Sequence, residues 1–203
     1  MYTQNDLISD IKALGVKSDD LITVHISLKS VGPIDPSGTT SAEVMLNALR
    51  ACVPDGMLMV PTHTFHLLDN NPAELPIFDI RNTMPCVGAV SCVAVKLAKR
   101  GGKIILIGVD LTKNTFIHFV DDLMDPQPYT HFRIRTVDYN GNEQLCVSAS
   151  TKGDSSAYQR RYGNLLHEGG ALTYGKIGDA DVIVCDARKT LQLISSAWDE
   201  LNL

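Results

Sequence analysis

The sequence lacks the features that define several large classes of protein. It contains no apolar run long enough to cross a bilayer, no cluster of lysine and arginine, and no internal repeat or low-complexity segment. Its formal net charge of −5 provides no electrostatic attraction to nucleic acid or to an anionic membrane. We therefore expect neither partner, whereas an acidic balance suits a cationic small molecule.

The cysteines lack the spacing of a disulfide framework or a zinc site. The chain has five of them, scattered along its length, and none forms a CxxC pair. Most lie inside apolar runs, which is typical of buried thiols in a reducing compartment. Residues 1–15 also lack the apolar core of a signal peptide. These absences predict a cytoplasmic protein.

Common nucleotide and hydrolase motifs are also missing. Gly101-Gly102-Lys103 resembles the end of a phosphate-binding P-loop, but Leu97 stands where that motif requires glycine and Ile104 where it requires serine or threonine. No G-x-G-x-x-G follows a strand pattern, and no G-x-S-x-G is present. The sequence therefore gives no support for a P-loop, a dinucleotide fold or a serine hydrolase elbow.

The residues that are present predict a layered α/β protein. The 203 residues are 44% hydrophobic and 20% charged, which suits a globular domain with a buried core. Capping boxes begin helices at Thr3 and Thr40, and apolar runs predict strands at residues 21–26 and 57–60. Helices and strands thus alternate, as in α/β folds. Residues 69–85 are rich in proline, asparagine and acid, and we expect them to be irregular.

The second half adds an antiparallel hairpin. Between residues 132 and 149, apolar and polar residues alternate on both sides of an Asn-Gly pair, which is a strong hairpin signal. Ser156 and Gln159 predict another capping box, and residues 181–185 a last buried strand. Together these patterns predict a single α/β domain with a mixed β-sheet, helices on both faces and an antiparallel hairpin in the C-terminal half.

Residues 101–122 carry the candidate chemistry. β-branched residues from 103 to 109 predict a central strand, and Asn114 offers a side-chain oxygen that can cap the helix after it. The loop between the two lies at the carboxyl end of the strand, where open α/β sheets hold their ligands. On the helix, His118 and Asp121 share a face at i and i+3, and Asp122 follows at i+4.

This spacing suits a general base. Imidazole titrates near neutral pH, and a neighbouring carboxylate fixes its tautomer and stabilises its charged form. A histidine one turn from an acid is also a common solvated pair on helices, so both interpretations stay open from spacing alone. A metal alternative joins His25, His63 and His66, which lie near strand ends. No carboxylate has ligand spacing to these histidines, and we expect no metal.

Five segments form an ordered pattern along the chain. They are residues 23–32 (TVHISLKSVG), 56–64 (GMLMVPTHT), 78–88 (FDIRNTMPCVG), 102–121 (GKIILIGVDLTKNTFIHFVD) and 175–188 (GKIGDADVIVCDAR). In this order they resemble the antibiotic N-acetyltransferase family, which comprises the aminoglycoside 3-N-acetyltransferases and their relatives. The resemblance extends over most of the chain and implies a single domain of that kind over residues 1–203.

The resemblance implies a transferase that uses acetyl-CoA as co-substrate, without a metal, to acetylate a small-molecule amine. The family's acceptor is the 3-amino group of an aminoglycoside, and its acetylation confers antibiotic resistance. His118 is then the catalytic base, and Asp121, where the family usually has glutamate, orients it. The residues that the resemblance assigns to cofactor binding are His25, Ser27, Leu28, Lys29, Ser30, Val31, Gly32 and Thr62.

The chain departs from the family between Gly88 and Gly102. Family members usually carry a long insert there with a His-Pro motif, whereas residues 89–101 have room for one helix. The shortening fits a compact transferase with a different acceptor. It also supports an alternative, a non-catalytic CoA-binding or interaction module on the same scaffold.

Overall fold

The structure is a computed structural model, and it describes residues 1–61, 77–79, 97–124, 130–137, 142–150 and 157–201. A five-stranded sheet lies at its centre. Its strands are β1 (Leu21–Ile26), β2 (Met57–Met59), β4 (Lys103–Ile107), β7 (Leu172–Ile177) and β8 (Ala180–Asp186). They lie in the order β2-β1-β4-β8-β7. β1 runs parallel to β2 and β4, and β8 runs antiparallel to β4 and β7. The carboxyl ends of β1 and β4 therefore meet at one edge of the sheet.

A second sheet contains the predicted hairpin. Its strands are β3 (Ile77–Asp79), β5 (Thr130–Val137) and β6 (Glu143–Ser150), in the order β3-β5-β6. β5 and β6 are antiparallel over eight residue pairs, which confirms the hairpin. The expectation that residues 69–85 are irregular is wrong at β3, which pairs in parallel with β5. Three residues are too few to show a strand period in the sequence.

Helices cover both faces of the five-stranded sheet. α1 (Gln4–Ala13) and α2 (Ser41–Cys52) begin with the predicted capping boxes, in which Thr3 accepts from the Asp6 amide and Thr40 from the Glu43 amide. The helices of the second half are α3 (Thr115–Met124), α4 (Tyr158–Glu168), α5 (Ala187–Ser196) and α6 (Trp198–Leu201).

Alternation along the strands divides the core into two clusters. On β4, Ile105 and Ile107 point to the side covered by α1 and α2, whereas Ile104 and Leu106 point to the side covered by α3, α4 and α5. We call the first side the aliphatic face, after buried residues such as Leu7, Ile11, Ile22, Val24, Val44 and Leu49. We call the second the tyrosine face, after Tyr158 and Tyr162, which lie there with Phe116, Ile117, Val120 and Leu166.

This architecture confirms the predicted fold class, a single-domain α/β protein with a mixed sheet, helices on both faces and a C-terminal hairpin. The predicted capping box at α4 is wrong. The N-cap is Ala157, which makes no side-chain cap, and Gln159 Oε1 instead accepts from the Leu111 amide at 3.4 Å. That contact ties α4 to the loop before α3, so the glutamine serves tertiary packing.

The structure also describes the helices and thiols about which the sequence makes predictions. Within the described residues, no helix is both long and apolar enough to cross a membrane. Cys52 and Cys185 are buried thiols, as the apolar runs around them predict. Burial raises the pKa of Cys185 to about 12, so this thiol stays protonated and unreactive near neutral pH.

Candidate active site

The site is built at the edge where β1 and β4 end. The Ser27 amide donates to the Ile107 carbonyl at 2.9 Å, so the loop after β1 is fixed to the end of β4. Gly108, the residue that follows β4, has φ +63°, and a Cβ there would lie 2.4 Å from the Ser30 Cβ. Glycine is needed at this position because the backbone is left-handed and the loop presses against it.

The predicted cofactor loop is a short 3₁₀ helix, Leu28–Val31, with its polar side chains at the surface. Ser30 Oγ donates to Ser27 Oγ at 3.0 Å, and both serines are half-buried. Lys29 is exposed, whereas the Val31 side chain is fully buried in the aliphatic face. Val31 therefore anchors the loop, and the serine hydroxyls and Lys29 are the groups it presents outward.

Gly32 closes this loop against the turn between β7 and β8. Its φ is +84°, and a Cβ would lie 2.2 Å from Asp179 Oδ2. The Asp179 amide also donates to the Val31 carbonyl at 3.0 Å, and Tyr2 Oη donates to Asp179 Oδ1 at 2.6 Å. The amino terminus and the β7–β8 turn thus hold the loop from outside.

His25 connects this loop to the predicted catalytic helix. It lies on β1 and is 8% exposed, on the side of the strand opposite to Ile22 and Val24. Its Nε2 lies 3.2 Å from the Thr115 Oγ1, at the first residue of α3. His25 thus contacts the start of α3, three residues before His118. It also lies on the strand that leads into the cofactor loop.

The start of α3 is set by Asn114, as the sequence predicts. Asn114 is fully buried, and its Oδ1 accepts from the Phe116 amide at 3.1 Å. Ile117 and Val120 then point into the core of the tyrosine face. The helical period therefore leaves His118 half-buried, with one side toward α4.

His118 contacts a tyrosine on α4. Its Nδ1 lies 2.6 Å from the Tyr158 Oη, and the two rings are edge-to-face with centroids 5.0 Å apart. Tyr158 is 1% exposed and His118 is half-buried, so this hydrogen bond is partly buried. The imidazole is therefore held at Nδ1 and along one ring edge.

Asp121 contacts a second tyrosine, one turn further along α4. Tyr162 Oη donates to Asp121 Oδ1 at 2.6 Å, and Tyr162 is fully buried. Burial, followed by the hydrogen bond to Asp121, raises the pKa of Tyr162 well above its usual value. The hydroxyl therefore stays protonated, and donates to the carboxylate, throughout the range in which enzymes are assayed.

These two tyrosines are not among the residues predicted from the sequence. They lie at i and i+4 on α4, and their partners lie at i and i+3 on α3, so each helix presents one polar turn to the other. The Tyr-x-x-x-Tyr spacing in the sequence was the available signal. The role predicted for Asp121, to orient His118, stays a prediction, as does the general-base role of His118.

Three predicted residues lie outside the described part of the chain. They are Thr62, assigned to cofactor binding, and His63 and His66, the partners of His25 in the metal alternative. Among the side chains that the structure describes, no group of three histidine, cysteine or acidic residues is arranged to hold a metal ion.

Comparison with known proteins identifies the family. The family model for aminoglycoside 3-N-acetyltransferase matches residues 81–198, more than half of the chain. The chain belongs to the aminoglycoside 3-N-acetyltransferase family. The match includes α3 and α4, and with them His118, Asp121 and both tyrosines, so the resemblance stated from the sequence is confirmed.

Individual members of the aminoglycoside 3-N-acetyltransferase family match a shorter segment. An aminoglycoside N(3)-acetyltransferase III from Salmonella sp is 43% identical over 60 residues, and one from Enterobacter cloacae is 40% identical over 60 residues. Each alignment covers 29% of this chain and 20% of the relative. The matched segment therefore spans about a fifth of the length of these relatives.

Several solved structures share the fold over nearly the whole chain. AAC-IIIb in a binary complex with CoASH has a TM-score of 0.72 at 19% identity, covering 98% of this chain and 97% of that one. AAC-VIa bound to sisomicin has a TM-score of 0.73 at 17% identity, covering 99% and 98%. YokD from Bacillus subtilis has a TM-score of 0.72 at 17% identity, covering 97% and 93%.

Proposed function

We propose that this chain is an acetyl-CoA-dependent N-acetyltransferase that acetylates the 3-amino group of an aminoglycoside. The observation that carries the proposal is the position of His118. Within the family-matched region, it is half-buried on α3 with its Nδ1 hydrogen-bonded to Tyr158. A histidine whose second nitrogen is held in this way is arranged to exchange protons at the other.

The proposed reaction needs a base because its acceptor is charged. An aliphatic ammonium has no lone pair with which to attack a carbonyl, so a proton must leave the nitrogen first. In the proposal, His118 Nε2 takes that proton, and the amine nitrogen then forms a bond to the carbonyl carbon of the acetyl thioester. The carbon–sulfur bond breaks, and the CoA sulfur leaves as a thiol that carries the second proton lost by the nitrogen. Asp121, one turn later on the same helix, stabilises the imidazolium that results through its negative charge. The net charge of −5 favours the approach of a polycationic acceptor.

The donor is assigned to the loop after β1. When bound, acetyl-CoA supplies an acetyl thioester whose carbonyl oxygen gains negative charge during attack. Because Ser27 Oγ accepts from Ser30, its own hydrogen can be donated outward, which fits a group that must polarise a carbonyl. The exposed Lys29 ammonium suits the phosphates of the same molecule. The other proposed cofactor residues are His25, Leu28, Val31, Gly32 and Thr62.

The solved relatives support this assignment. One of them binds CoASH and another binds sisomicin, on the fold that this chain shares. The alternative, a non-catalytic CoA-binding module, is favoured by the short connection at residues 89–101. The two functions agree on CoA binding and differ on turnover.

The test is acetyl-CoA binding by calorimetry, followed by addition of sisomicin with thiol release monitored. The proposal predicts binding and stoichiometric thiol release. The matched control is sisomicin already acetylated at the 3-amino group, which should release no thiol. If acetyl-CoA binds but no aminoglycoside of a panel causes thiol release, the binding module would replace the transferase as the function of this chain. An absence of acetyl-CoA binding would contradict both.

A further inference from the structure

The tyrosine pair on α4 extends the proposed site. Tyr158 and Tyr162 lie one turn apart and contact His118 and Asp121, which lie one turn apart on α3. We propose that Tyr158 is a positioning residue that sets the tautomer of His118, and that Tyr162 supports it by holding Asp121. This inference rests on the proposed function, because tautomer choice matters for a histidine that acts as a base.

Neutral imidazole carries a single ring proton, so the contact between Tyr158 and Nδ1 is compatible with two tautomers. With that proton on Nε2, Tyr158 donates to Nδ1, and no lone pair is left at Nε2 to receive a proton from an amine. With the proton on Nδ1, the imidazole donates to the Tyr158 oxygen and Nε2 carries the lone pair. The second arrangement is the one compatible with a base acting at Nε2. In it, Tyr158 is a hydrogen-bond acceptor.

The surroundings of Tyr158 make it suited to this role. The ring is buried, lies edge-to-face against the imidazole, and is tilted against the Tyr162 ring with centroids 5.8 Å apart. Arg161 lies over the Tyr162 ring at 5.5 Å and over the Trp198 ring at 5.6 Å. These contacts restrict both tyrosine rings, so the Tyr158 oxygen has a fixed position relative to Nδ1.

Tyr162 acts on the charge beside the base. Its hydroxyl fixes one oxygen of the Asp121 carboxylate at 2.6 Å, which orients the negative charge on the same helix as His118. A carboxylate held in this way is kept close to the imidazolium that forms when His118 takes a proton. If the two tyrosines only packed the core, their aromatic rings would suffice. The proposed positioning role requires their hydroxyl groups as well.

The experiment removes one hydroxyl and keeps the ring. Tyr158→Phe and the unaltered protein are labelled with ¹⁵N, because imidazole nitrogen shifts distinguish the two tautomers. His118→Gln assigns the His118 signals among the six histidines. We expect the Nδ1–H tautomer in the unaltered protein and a shift toward Nε2–H in Tyr158→Phe. We also expect kcat for acetyl transfer to fall at least tenfold, with KM for the acceptor little changed.

A matched control is Tyr174→Phe, which removes a hydroxyl from a tyrosine that is 52% exposed on β7. It should change neither the His118 tautomer nor kcat. Tyr162→Phe should keep the tautomer and alter the pH dependence of kcat.

If Tyr158→Phe is active with an unchanged tautomer and kcat, the inference is overturned while the transferase stands. An Nε2–H tautomer in the unaltered protein would also overturn it, even if Tyr158→Phe failed to fold. If no aminoglycoside is acetylated, the proposed function fails, and a tautomer that changes in Tyr158→Phe still supports the contact.

Discussion

The two faces of the five-stranded sheet differ in what they bury. The aliphatic face holds leucine, isoleucine, valine, methionine and other small apolar side chains. The tyrosine face holds Phe116 and two tyrosines whose hydroxyls bond to His118 and Asp121. Among the described residues, the four buried polar side chains also lie on the tyrosine side: Thr23, His25, Asn114 and Thr190.

This difference assigns stability mainly to the aliphatic face and the proposed chemistry to the tyrosine face. Apolar burial stabilises the fold without directional requirements, whereas each buried polar group must find a partner or cost about 1–3 kcal/mol. Thr23 Oγ1 and Thr190 Oγ1 have no hydrogen-bond partner among the described residues. A face that keeps such groups is not optimised for stability alone, and it is the face on which the proposed base lies.

The largest expected effect on stability is on the aliphatic face. Leu49→Ala removes a side chain that is 2% exposed on α2 and should lower the free energy of unfolding by about 2–5 kcal/mol. Acetyl transfer per folded molecule should not change. Urea unfolding and active-site titration measure the two quantities. The control is Leu46→Ala on the same helix, where the side chain is 40% exposed and the cost should be small. A loss of turnover in folded Leu49→Ala would break the separation of the two faces.

A smaller effect is expected from Tyr162→Phe on the opposite face. Losing a hydrogen bond to a charged group should cost about 1.5–3 kcal/mol at neutral pH. Because the pKa of Tyr162 is raised in the folded state, its contribution is complete below the unfolded tyrosine value near 10 and is lost as pH rises through the higher folded value. The unaltered protein should therefore lose stability faster than Tyr162→Phe above about pH 10. Parallel stability curves from pH 7 to 11 would contradict this prediction.

A further effect is expected at the cofactor loop, where Gly108 lies against Ser30. Gly108→Ala should cost about 1–2 kcal/mol for its left-handed backbone, and it should also displace Ser30. Gly15→Ala is the matched control because Gly15 has φ +80° and no atom within 4 Å of the added Cβ. Both variants should lose stability, whereas only Gly108→Ala should raise the KM for acetyl-CoA. An unchanged KM in Gly108→Ala would remove Ser30 from the donor site.

Local features of the fold could be predicted from the sequence. The capping boxes at Thr3 and Thr40 lie within four residues of chain, and β1 (Leu21–Ile26) is a continuous buried run. β7 could not, because it is an edge strand with Leu172 and Ile177 buried at its ends and exposed or half-buried residues between them. Its strand conformation depends on pairing with β8, which no local period reveals.

The candidate site also contains residues that the sequence predicts and residues that it does not. His118 and Asp121 could be selected because their spacing is helical and the loop before them follows a strand. Their partners lie about forty residues later, since Tyr158 contacts His118 across a separation of 40 and Tyr162 contacts Asp121 across 41. Packing of α4 against α3 creates these contacts. The sequence could therefore name the proposed base but not the side chains that hold it.

The most direct test of the central claim compares His118→Gln with the unaltered protein. The measurement is thiol release from acetyl-CoA in the presence of sisomicin. We predict a loss of about 10²- to 10⁴-fold in turnover, with an unchanged unfolding transition and unchanged acetyl-CoA binding. His167→Gln, which alters an exposed histidine on α4, should retain full turnover. Full turnover in His118→Gln would contradict the assignment of the base, and with it the claim that the tyrosine face carries the chemistry.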